Sequence, residues 1–201
     1  MYSARTRTAL TLAAVLGLVF CAAAMLQSAP QQPAQRQEQR GQRPMTENAR
    51  NNLLERINHE LVMMPYYGVF DWIEYRLDPD YTVTLGGYVT RPTLKSDAEK
   101  LVSKIEGIEK VNNQIEVLPP SGMDDELRQA LYRSIFSAQG LDRYALQSVP
   151  PIHIIVRSGR VILAGIVRTE GEKNLAGLRA NQVSNVFSVD NKLFVEEKGS
   201  K

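Results

Sequence analysis

Apolar residues along this chain keep two rhythms in turn, and the whole order then recurs. Ala49, Leu53, Ile57 and Leu61 fall every fourth residue, which predicts a helix with one buried stripe. Thr46 stands in front of it as a candidate N-cap. Val83, Leu85, Gly87 and Val89 then take alternate positions of "TVTLGGYV", the period of a strand with one face inward. "EYRLD" before it predicts a partner strand, with "PDY" (79–81) as the hairpin turn. A second helix over about 93–106 and a last strand, "KVNNQIEVL", complete an αββαβ unit.

The second pass reads the same way. Leu127, Leu131, Ile135 and Ala138 form the stripe of its first helix, with Asp124 as the candidate cap and Asp125 and Glu126 at the positive helix end. "IHIIV" and "RVILAGIV" are its hairpin strands around "RSG" (157–159), followed by a helix over about 171–184 and the strand "SVDNKLFVE". Sliding the chain by 78 residues aligns 49–117 with 127–195 without a gap and gives 13 identities. They include Leu53/Leu131, Ile57/Ile135, Tyr66/Tyr144, Leu85/Leu163, Gly87/Gly165 and Asn113/Asn191, with conservative pairs such as Leu77/Ile155 and Ile115/Leu193. The matches concentrate at apolar and turn positions. A shared fold needs those, whereas a shared active site would repeat polar ones. The expected fold class is α+β. It consists of two tandem αββαβ modules over 46–118 and 119–197, each a small three-stranded mixed sheet packed by two helices. The prolines of "LPPSG" (118–122) set the boundary.

Glycine inside a strand costs stability, so its repetition at Gly87 and Gly165 implies a steric need. A bulge or a helix packed against the backbone would supply one, and the alternative is a closely approaching ligand. "GGY" lacks the context of a dinucleotide or phosphate loop. Gly87, Gly165, Asn113 and Asn191 therefore read as structural residues, and Tyr66, which matches Tyr144, as core.

The strand with hydrophobic-x-Leu-x-Gly-x-Val, a polar helix start, and Val-x-x-Val-x-Asn before a final strand resembles the BON domain. It is carried by "VTLGGYVTRPTLKSDAEKLVSKIEGIEKVNNQIEV" and "VILAGIVRTEGEKNLAGLRANQVSNVFSVDNKLFV". The resemblance covers nearly all of 46–197. It implies an exported envelope protein, similar to osmotically inducible periplasmic ones, that binds phospholipid membranes and supports envelope integrity. It brings no catalytic residues.

The N-terminus stands apart. Arg5 and Arg7 precede an apolar run from Ala9 to Leu26, so 1–26 read as a secretory signal with Ala22–Ala24 suiting cleavage, or as a retained anchor. Phe20 before Cys21 argues against a lipoprotein signal. Residues 27–45, rich in Gln, Pro and Arg, are expected to be a disordered linker. Cys21 is the only cysteine, which leaves the rest without disulfide, Cys-based metal site or Cys nucleophile. Residues 1–45 also hold five Arg against one Glu, so the near-neutral remainder lacks the footprint of a nucleic-acid binder.

Candidate chemistry is sparse. His59 and His153 have no motif partners, the acids of "MDDEL" are explained by a helix start, and no enzyme, metal or cofactor is expected. Two sets of residues remain as binding candidates. Tyr132 and Phe136 lie about 120° round the helix from its buried stripe, with Arg128 beside them, and suit a contact with anionic lipid. Their alternative is the interface between the modules. Charge favours the second module for lipid, since 46–118 hold 8 basic and 12 acidic residues and 119–201 hold 11 and 9. Tyr67, Phe70 and Trp72 either pack a long connection over the sheet or form a partner-binding surface. The expected function is therefore non-enzymatic association with phospholipid membranes in the envelope. The alternative is a periplasmic scaffold that binds a protein or peptidoglycan through the Trp72 region.

Overall fold

The computed structural model describes residues 45–196. The expected signal or anchor (1–26), the linker up to residue 44 and the last five residues lie outside the described residues. No described helix is long and apolar enough to cross a membrane.

The order αββαβ occurs twice. In the first module α1 (Glu47–Val62) leads to β1 (Trp72–Leu77), β2 (Thr82–Val89), α2 (Pro92–Ser103), β3 (Lys110–Asn113) and β4 (Glu116–Val117). In the second, α3 (Gly122–Phe136) leads through a 3₁₀ turn (Asp142–Leu146) to β5 (Ile152–Arg157), β6 (Arg160–Val167), α4 (Glu170–Asn181), β7 (Ser188–Asn191) and β8 (Phe194–Val195). β2 is the centre of its sheet, antiparallel to β1 and parallel to β3 and β4. β6 holds the same place among β5, β7 and β8. Each module has its own apolar core between sheet and helices, around Ile57, Leu85 and Ala98 in one and Leu131, Leu163 and Ala176 in the other.

The last strand of each module is broken in two, so each sheet has four strands where three were expected. One asparagine manages each break. Asn113 accepts from the Ile115 N–H at 3.1 Å and donates to the Lys95 carbonyl of α2 at 2.8 Å. Asn191 does the same with Leu193 at 3.3 Å and Lys173 of α4 at 2.7 Å. A side-chain amide can serve a carbonyl and an N–H at once, so the residue turns Ile115 or Leu193 into the core while fastening the helix.

The repeated glycines answer to a neighbouring strand. Gly87 and Gly165 have φ of +100° and +117°, which side-chain-bearing residues rarely adopt. A Cβ at Gly87 would fall on the Trp72 carbonyl oxygen, and one at Gly165 on that of Pro151. Pairing continues past Gly87 to Trp72 and Tyr88, and past Gly165 from the Ile166 N–H to the Pro151 carbonyl at 3.0 Å, so neither a bulge nor a packed helix is involved.

Three further expectations are corrected. First, the hairpin loops differ in length. Asp78 N–H bonds the Thr82 carbonyl at 2.9 Å and leaves a three-residue loop, whereas Arg157 pairs with Arg160 around Ser158–Gly159, whose φ of +50° and +75° suit a two-residue hairpin. The gapless repeat therefore slips by one in the first strands: Gly87 pairs with Ile73 and Gly165 with Ile152, so Leu77 corresponds to Val156, not Ile155. Second, Ser121 caps α3, at 3.2 Å from the Asp124 N–H, while the buried Asp124 carboxylate accepts from Ser158 and Gly159 N–H at 2.8 and 3.0 Å and holds the hairpin turn. Thr46 does cap α1. Third, Tyr66 is 75% exposed while Tyr144 is 4% exposed. α1 runs on to Val62, about a turn beyond the point where α3 stops at Phe136, so Tyr66 is left in a tight turn with φ +68°. Tyr144 instead enters the core from the 3₁₀ turn and donates to Glu172 at 2.8 Å. Its hydroxyl and Glu172 both accept from the Arg168 N–H. The matching N–H of Thr90 is held by the buried Asp71 carboxylate at 2.6 Å. Both modules satisfy the same backbone donor, with different acceptors.

Replacing Gly165 by Ala adds a Cβ against the Pro151 carbonyl and an unfavourable φ, so Gly165→Ala is expected to destabilise by about 3 kcal/mol in urea unfolding. Asn191→Ala, which removes two hydrogen bonds, is expected to cost about 1–2 kcal/mol. A Gly165→Ala protein as stable as the wild type would contradict the steric role.

Candidate functional site

The residues singled out as binding candidates converge on a seam between the two modules. On β5, Ile152, Ile154 and Val156 point into the module's core, which leaves His153, Ile155 and Arg157 on the face away from the helices. Ala164, Ile166 and Phe194 share that outward face. Outward groups of an isolated sheet should be wet, yet Ile155 is 1% exposed, and His153 and Ala164 are equally buried. The first module supplies the contacts to this face. Trp72, Tyr88 and Glu116 form a row across the outer face of its sheet. The Trp72 ring lies 5.0 Å from that of His153, and Glu116 pairs with Arg157. A row across one sheet thus runs along a strand of the other, the geometry of steeply crossed sheets.

The connection before β1 closes the seam at the edge. The Ile154 N–H, on the free side of β5, donates to the Val69 carbonyl at 2.7 Å, so a first-module segment covers an edge strand of the second. His153 Nδ1 lies 3.2 Å from the Gly68 carbonyl, and the Tyr67 ring is 5.6 Å from the imidazole. The Tyr67 hydroxyl accepts from the Ile73 N–H. Phe70 packs edge-on against Tyr132 at 6.4 Å, and Tyr132 in turn against Phe136 at 4.8 Å. Burial governs the titration of this cluster. It pulls His153 down to about 4 and pushes the Tyr67 phenol and the Asp71 carboxyl up.

This placement corrects the expected lipid face. Phe136 lies in the second core, and Tyr132 is half-buried beneath Phe70. Arg128 is buried and bonds the Val156 carbonyl at 2.8 Å and Asp125. Of these only Tyr132 meets the first module, through Phe70; Phe136 packs within its own module, and Arg128 ties α3 to the end of β5. Tyr67, Phe70 and Trp72 are likewise occupied by the seam. The residues missed in the sequence are His153, Ile155 and Val69. The signal was present in "IHIIV", which is apolar on both faces and so requires cover on both.

Exposed apolar groups occur elsewhere. Met123 begins α3 and Phe187 follows α4, and they are 76% and 77% exposed. They bracket the Ser158–Gly159 turn: Asp124 binds its N–H groups, and the Phe187 N–H donates to the Gly159 carbonyl at 2.8 Å. The Arg160 guanidinium lies 5.6 Å from the Phe187 ring centre. Met123 and Phe187 also border an open groove of about 1430 Å³ alongside α3, which Phe70 and Arg91 close on the first-module side. Among the described residues no group of three or more His, Cys, Asp or Glu is placed to hold a metal ion.

Residues 80–119 and 124–197 match the BON domain family. No curated protein matches the chain. Solved structures that align with it include the C-terminal domain of CdsD, described as the structural protein of the type III secretion system of Chlamydia trachomatis. That domain is 10% identical with a TM-score of 0.30, over 72% of this chain and 98% of its own. A second CdsD structure is 11% identical with a TM-score of 0.29, over 74% and 95%. Likeness at this level carries no functional argument.

If the aromatic contact couples the modules, Phe70→Ala and Tyr132→Ala should not be additive. A double-mutant cycle on unfolding free energy is expected to give a coupling of about 0.5–1.5 kcal/mol. Strict additivity would contradict the contact.

Proposed function

The chain belongs to the BON domain family, and from that premise we propose that it is a non-enzymatic envelope protein that associates with phospholipid membranes through the tip of its second module. BON domains are generally non-catalytic modules of envelope proteins. Residues 1–26 would direct export or anchor the chain, residues 27–45 would tether the body of two modules (46–118 and 119–197), and the association would support envelope integrity under stress such as osmotic stress.

The observation that carries this reading is the pair Met123 and Phe187, large apolar side chains left about three-quarters exposed on either side of one rigid turn. Seating them at the acyl boundary removes apolar surface from water at about 25 cal/mol per Å². Arg160 beside the ring adds attraction to lipid phosphate, about 1 kcal/mol for a basic residue close to an anionic surface. At α3's start, Asp124 holds the Ser158 and Gly159 N–H groups and Asp125 is paired with Arg128. The excess of basic over acidic residues in 119–201, 11 against 9, acts in the same direction. The tip takes the place of Arg128, Tyr132 and Phe136, which the seam and core occupy.

Residues 45–201, which omit the apolar N-terminal run, are expected to co-sediment with phosphatidylglycerol-containing vesicles and much less with purely zwitterionic ones. Met123→Ser/Phe187→Ser should weaken that binding by at least about tenfold while leaving the unfolding midpoint unchanged. Undiminished binding by the double variant would remove the tip from the account, and no binding by the wild type would remove the lipid reading.

A further inference from the structure

His153 is the one histidine inside the protein's folded body, since His59 stands exposed on α1. Its position is unusual for a titratable group. It sits on the outward face of β5, against the Tyr67 and Trp72 rings and the Gly68 carbonyl, all of the first module. Every contact it makes across the seam is thus to the other module, and neither module's core depends on it. We propose that His153 makes the junction between the modules acid-sensitive: proton uptake by its ring parts the Tyr67–Trp72 clasp from β5 while each module stays folded.

The sign follows from where the proton is tolerated. Desolvation holds the ring neutral in the closed seam, down to about 4 against 6.5 for a free imidazole. The opened ring, in water, titrates near its ordinary value. The closed seam is therefore fully favoured above pH 6.5 and loses ground as pH falls towards 4, by up to about 300-fold in the closed-to-open ratio. Other charged and titratable groups face the same seam. The Tyr67 phenol, pushed up by burial, stays neutral throughout this range. Asp71, also pushed up by burial, acts in the opposite sense, because its proton uptake favours the closed form. Arg91 lies near that carboxylate and opposes the uptake. The Glu116–Arg157 pair also crosses the seam.

Opening also has a structural consequence. It would uncover Ile155 and Ala164 beside Ile166 and Phe194, which are already more than half exposed on the same face. An acid-opened chain would then present one continuous apolar sheet face.

Trp72 is the sole tryptophan and reports the seam directly. In the full chain, Trp72 emission is expected to shift to longer wavelength with a midpoint between pH 4 and 6.5, while far-ultraviolet circular dichroism stays constant. The midpoint should coincide with the NMR titration of the His153 ring. His153→Gln should flatten the transition; Glu116→Gln should leave it in place, and Asp71→Asn, which removes the opposing proton uptake, should not diminish it. Emission that is flat in the wild type, loss of secondary structure in parallel with the shift, or a transition that survives in His153→Gln would each overturn the proposal. Should His153→Gln fail to fold, a mismatch between the His153 titration and the emission midpoint in the wild type decides against it.

Discussion

A β-strand with apolar side chains on both faces must be covered on both, and β5 is such a strand. Ile152, Ile154 and Val156 need the helices of their own module; His153 and Ile155 need something else. The first module answers that need with the Trp72–Tyr88–Glu116 row and with the backbone of Val69. The other features of the seam follow. The connection after α1 is aromatic because it must lie over an apolar strand and its free edge. Asp71 sits within it because Thr90 still needs an acceptor there. Two small modules, each with a modest core, thereby add buried apolar surface beyond what each could bury alone.

The same constraint redistributes function. Aromatic residues are the usual first suspects for recognition, yet the seam and the second core occupy Tyr67, Phe70, Trp72, Tyr132 and Phe136. The exposed groups include Met123, Phe187 and Arg160 around one turn, Tyr66 with Arg91, and Ile166 beside Phe194. The turn between Met123 and Phe187 is rigid because Asp124, a residue a sequence reader assigns to helix capping, is spent on its two N–H groups.

The αββαβ order was legible because it rests on local periodicity and on a repeat that samples it twice. Leu53, Ile57 and Leu61, or Val83, Leu85 and Val89, need no tertiary information to declare their face. Gly87 and Gly165 were legible as structural, though not for the right reason, since the neighbouring strand's carbonyl is invisible in one dimension. Tyr66 misled because its identity with Tyr144 at the repeat offset does not fix the helix end before it. The site was the least legible part. Which apolar face meets which depends on packing between modules, and only the lack of alternation in "IHIIV" hinted at it.

The first module seals the free edge and outer face of β5. Hydrogen exchange at the Ile154 N–H tests it most directly, because that group's acceptor is Val69 of the other module. At neutral pH this amide is expected to be protected as well as those of β6 at the centre of the same sheet. Exchange as fast as an unpaired edge-strand amide would contradict it.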